Sequence, residues 1–148
     1  MAERDGDDAP APEHVRPAGV DDATVSALGK LSEALETVEH ARGLLYGFHR
    51  LSGRADILLG EAVDELAGAG HEDLAARLRH DLLGRNVLAG RWTFQVVEEY
   101  DDGYWSRFRD HERDAREQLV QGRRHLLEAE MKESERTPGR PGHEATPA

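Results

Sequence analysis

The stretch WTFQVVEEYDDGYWSRFRDHERDAREQLVQGRRHLLEA, Trp92 to Ala129, decides the fold class. Six of the eight aromatic residues in the chain lie between Trp92 and Phe108. An apolar row continues from them: Val97, Tyr100, Tyr104, Phe108, His111, Ala115, Leu119, Gly122, Leu126 and Ala129. Its steps of three and four mark one face of an α-helix, about 100° per residue. The helix is predicted to begin at Arg91 or Trp92 and to run to about Ser134, on the order of 60 Å at 1.5 Å per residue. Asp101-Asp102-Gly103 is where it can kink or break, because glycine costs about 1 kcal/mol in a helix interior. Val97, Phe108 and Leu119 recur every eleven residues, which favours straight or slightly right-handed packing. An unbroken helix of this length outreaches any partner in the chain, so its far end must project or pack on another copy.

Upstream, a helical pattern starts at Asp22, with Asp21 or Asp22 as its cap. Leu28, Leu31, Leu35, Val38 and Leu45 form a row, and the same frame takes in Arg42, His49, Ser52 and Asp56. Two readings compete: a helix that ends near Leu51, with Ser52-Gly53 as a short turn, or one continuous helix with polar residues in its seam. The break is the expected reading. The next helix runs to about Ala69, with Gly70 as its C′ residue, and His71-Glu72-Asp73 opens a short third helix that Gly84 stops. Residues 1–21 and 135–148 hold proline, glycine and charge with little apolar surface, and are expected to be disordered tails. The fold class is therefore all-α: an antiparallel bundle of three to four helices over residues 22–134.

Composition narrows the function. The formal charge of -11 argues against nucleic acid, whose phosphates call for clustered Lys and Arg, and against anionic lipid. No apolar run approaches the ~18 residues of a membrane span. The N-terminus is acidic and lacks an apolar core, so no signal peptide is expected and the expected location is cytoplasmic. With no cysteine, thiolate chemistry is absent.

A di-metal bundle would place a Glu three residues before a ligating His on two helices. The residues in that position here are Ala11, Thr37, Tyr46, Gly68, Arg77, Phe108, Gly122 and Arg140, so no such motif exists and no cofactor or metal is expected. Four polar residues near the seam form a candidate ligand-binding set: His49, Asp101, Tyr104 and His111. Histidine titrates near neutrality and suits acid–base work, although a lone histidine on an apolar face is more often a hydrogen-bonded core residue. Trp92, Phe94, Trp105 and Phe108 form a candidate interface, because Trp and Tyr are enriched at interaction hot spots; an ordinary bundle core is the plainer account. Gly139-Arg140-Pro141 has the centre of a minor-groove AT-hook without the flanking basic residues such a hook needs. The leading expectation is a non-enzymatic interaction or self-associating protein, with a protein or a second copy as partner. The alternative is a metal- or small-ligand-binding bundle.

Overall fold

The computed structural model describes residues 8–146, all-α and without a strand among them; an isolated bridge pairs Leu88 with Arg91. A 3-10 turn at Pro12–His14 precedes α1 (Asp22–Gly68), α2 (Glu72–Asp81) and α3 (Thr93–Tyr100). A π-helical turn (Asp101–Trp105) joins α3 to α4 (Ser106–Val120), and α5 (Leu126–Glu135) follows. The chain forms two compact units, residues 38–106 and the remainder, and α1 supplies a segment to each.

The unit built from the two chain ends has its core at Val25, Leu28, Val120 and Leu126, with Val20, Ala115 and Leu127 against it. Asp21 caps α1, its carboxylate accepting from the Thr24 amide at 2.8 Å. Gly29 lets α5 approach α1: a Cβ there would overlap Leu127 Cδ2 and lie 3.2 Å from its Cβ. Two charges are buried together. Arg116 donates to Glu112 at 2.7 Å and to the Gly122 carbonyl at 2.9 Å, and the Ser32 hydroxyl donates to Glu112 at 3.1 Å. Each charge thereby keeps its hydrogen bonds, the condition for tolerating burial.

The described parts of the expected tails are held by contacts. Arg16 reaches both Glu130 oxygens at 2.7 Å and Asp22 at 2.8 Å. The buried Arg136 guanidinium bonds Glu133 and Asp8, and Asp8 also accepts from the Gly139 and Ala145 amides. Charge pairs of sequence separation above one hundred link these segments, beside the apolar contact that Val20 makes with the core. Residues 1–7 and 147–148 lie outside the described residues.

In the second unit, α1 does not break at Ser52-Gly53 and continues to Gly68. At 47 residues it is about 70 Å long. Its end follows the expected chemistry: Gly70 is left-handed (φ 91°), its amide donates to the Ala67 carbonyl, and the His71 amide donates to Leu66. These are the two bonds of a Schellman cap. α2 runs antiparallel to α1, with Arg79 bonded to Asp64 at 2.6 Å and the Gly84 amide to Asp56 at 2.9 Å.

The helix predicted from Arg91 to Ser134 is corrected twice. It ends at Val120, where Gln121, Gly122 and His125 take positive φ and the chain turns so that Val120 and Leu126 share one core. It also passes through a π turn, in which the Ser106 amide reaches the Asp101 carbonyl five residues back. One extra residue per turn advances the helix phase by about 100°. Downstream, Glu112, Arg116 and Val120 are buried, each one residue beyond His111, Ala115 and Leu119 of the predicted row. His111 and Leu119 are exposed, and only Ala115 still touches the core.

Candidate functional site

Arg42 and Asp101 centre the one elaborate polar cluster of the unit formed by residues 38–106. Arg42 lies on the inward seam of α1, one turn after Val38, one before Leu45 and Tyr46, and two before His49. The π turn carries Asp101 and Trp105, four residues apart, to the same guanidinium. Asp101 accepts from Arg42 Nε at 2.7 Å and Nη2 at 3.0 Å, a two-point pairing. The Tyr46 hydroxyl donates to Asp101 at 2.9 Å. The Trp105 ring covers the guanidinium at 3.9 Å and the Tyr46 ring lies at 4.9 Å. Trp105 Nε1 donates to Glu39 at 3.0 Å, and the Ser106 hydroxyl donates back to the Asp101 carbonyl.

The electrostatics agree with the geometry. The hydrogen bonds from Arg42, then from Tyr46, hold the Asp101 carboxyl below its ordinary range against the opposing effect of burial. The same carboxylate raises the Tyr46 phenol and the Arg42 guanidinium. Asp101 is thus kept ionised, with both oxygens already bonded. It is a weak base in this setting, and the cluster acts as a clamp fastening the π turn to α1.

The sequence-predicted ligand set is distributed differently. His49 shares a 2.7 Å hydrogen bond with the Thr93 hydroxyl through Nδ1. Asp101 belongs to the Arg42 clamp. Tyr104 is 57 % exposed, its ring tilted against Tyr100 at 5.8 Å. His111 is exposed and belongs to the other unit. Of the aromatic set, Trp92 and Phe94 are exposed, their rings tilted against each other at 5.2 Å. Trp105 is half-buried on Arg42, and Phe108 is half-buried in the unit of the chain ends. Among the described residues no group of three His, Asp or Glu side chains is placed to hold a metal ion, and no helix is long and apolar enough to cross a membrane.

Two features escaped the sequence reading. Arg42, Tyr46 and Glu39 complete the clamp; the signal was an arginine in an apolar seam, read as a mark of helix termination. The second is a seam on the outside of α1. Leu44, Phe48, Leu51, Ala55, Leu58 and Ala62 are spaced 4-3-4-3-4 and are all exposed. The inward seam beside it carries Val38, Arg42, Leu45, His49, Ser52 and Val63, which are buried or half-buried. Ser52 and Gly53 hid the outer seam, since a helix broken there would not carry it through. Comparison with protein families, with curated proteins and with solved structures finds no match to this chain.

Proposed function

We propose that this chain is a non-catalytic interaction module that self-associates, with residues 38–106 supplying the surface. The observation that carries the reading is an inverted apolar balance. In that segment the buried apolar side chains are Val38, Val63, Ala75 and Val97 alone. Thirteen large ones are exposed, Leu51 at 69 % and Leu44 at 65 % among them. Scattered exposed leucines are ordinary; a row of them along one helix marks an interaction surface.

Magnitudes favour association without making it tight. Full burial of a Leu or Phe side chain contributes about 1.5–3 kcal/mol. Leu44, Phe48, Leu51 and Leu58 are 65, 42, 69 and 46 % exposed. Covered in full on two copies, they return on the order of 7–13 kcal/mol, against roughly 4–15 kcal/mol lost on association. The original support for self-association, an over-long fourth helix, is gone, because the chain reverses at Gln121–His125. The 47-residue α1 takes its place.

Native mass spectrometry and sedimentation of the untagged chain over a concentration series test this. The expected result is a dimer fraction that grows with concentration and is abolished by Leu51→Glu at unchanged helix content. A monomer at every concentration overturns the proposal. A monomer carrying a stoichiometric adduct would instead favour the ligand-binding alternative.

A further inference from the structure

We infer that the outer seam of α1 is covered by the same seam of a second copy, antiparallel, with Arg54 of each chain against Glu61 of the other. This rests on the self-association proposed above and adds which surface makes it and in which direction. The 4-3-4-3-4 spacing averages 3.5 residues, the repeat of a two-helix seam. It runs from Leu44 to Ala62, about 27 Å along the axis. α2, α3, α4 and α5, at 10, 8, 15 and 10 residues, are each shorter than that. The helix in this sequence that matches the seam in both length and repeat is α1 itself.

Size and charge choose the direction. With the copies antiparallel and a two-fold axis between residues 56 and 57, Leu58 faces Ala55 and Leu51 faces Ala62. Leu51 and Leu58 then each meet an alanine, so the four central layers interdigitate, while Phe48 lies across from Glu65 and Leu44 from Ala69. A parallel copy in register stacks leucine on leucine and alanine on alanine, leaving gaps at each alanine layer. The seam's outer flank carries Arg54 and Glu61, both exposed and neither bonded to another side chain among the described residues. The antiparallel offset brings them together twice, once on each side of the axis. Sliding one copy by a heptad, so that Leu51 faces Ala55, sets Arg54 against Arg54 instead. Opposite charges thus favour one register and like charges disfavour its neighbour.

The chain has no cysteine, so single cysteines report the register without background. A55C and L58C proteins are mixed and allowed to exchange disulfides. The expected product is the mixed 55–58 disulfide, in excess of either same-residue disulfide. Charge reversal reads the same contact independently: R54E and E61R each weaken the dimer roughly tenfold, and the R54E/E61R double variant returns to within about twofold of the parent. Helix content serves as the control for folding. Predominant 58–58 disulfide, or a dimer that forms neither product and ignores both reversals, overturns the seam while leaving self-association standing. A parent chain that stays monomeric overturns the self-association reading itself.

Discussion

Replacing Gly53 with alanine is expected to stabilise the protein, and replacing Gly29 is expected to destabilise it, although both glycines lie inside the same helix. At Gly53 a new Cβ meets nothing within 4 Å, and the backbone is not in the left-handed region. The substitution therefore keeps only the helix-propensity term, about 0.5–1 kcal/mol in favour of alanine. In a chain of this size that raises the melting temperature by roughly 2–4 °C per kcal/mol. At Gly29 the same propensity gain is opposed by Leu127, whose Cδ2 the Cβ would overlap and whose Cβ and Cγ lie at 3.2 and 3.4 Å. The approach involves the root of that side chain, so rotating its tip does not clear it. Overpacking of this kind costs about 1–3 kcal/mol, which exceeds the gain. Urea and thermal unfolding followed by far-ultraviolet circular dichroism, at fixed protein concentration, reads both. If Gly53→Ala were destabilising by as much as Gly29→Ala, α1 would not run straight through Ser52-Gly53. The outer seam, which depends on that continuity, would fall with it.

Other perturbations probe the clamp, the buried pair and the chain ends. Arg42→Ala removes a two-point partner from Asp101, whose side chain is 17 % exposed. It should cost about 1–3 kcal/mol in chemical denaturation, and Tyr46→Phe should cost less, since Arg42 remains. Glu112→Ala strands Arg116 in the interior, where their side chains are 8 % and 10 % exposed. A loss of roughly 3–5 kcal/mol is expected, and a near-neutral result would refute the pairing. Asp8 is lowered from its ordinary 3.8 to about 2, chiefly by the Ala145 amide and then by Arg136. A depressed carboxylate stabilises the folded state fully above its unfolded value and ceases to do so as pH falls through the folded one. Protection of the Ala145 amide, taken relative to its intrinsic exchange rate at each pH, should therefore fall between about pH 4 and pH 2, and Asp8→Asn should remove that transition.

The parts of the fold that local chemistry dictates were legible in the sequence. Asp21 as a cap, Gly70 as a C′ residue and a short helix before Gly84 each depend on residues within a turn of the feature. The parts that failed depend on partners distant in sequence or on phase. Ser52-Gly53 has the composition of a turn, yet Arg42, His49 and Asp56 find Asp101, Thr93 and the Gly84 amide, and these contacts keep the helix in frame. The π turn inserts one residue, and a periodicity count has no means of registering it. His111 was placed in the core for that reason alone, and Glu112 took its place. A charged pair one position off an apolar row was the available sign.

The two seams of α1 share one physical cause. A helix can present different faces to different partners, and here the polar positions point toward the chain's own α2, α3 and π turn. Those positions bring fixed charge and hydrogen-bond geometry, so they specify how the segments of residues 38–106 fit together. The apolar positions, which give more free energy per residue and less directional control, are left facing outward. An apolar seam has low specificity by itself; alternating leucine with alanine and flanking the row with Arg54 and Glu61 restores direction and register. A protein whose purpose was to enclose a ligand would gain by the opposite placement, with leucines inside and polar groups converging on a cavity. Along α1 the polar groups converge on one another instead, and satisfy one another. That distribution is what the proposed interaction module requires, and it sets the outer seam as the surface to mutate first.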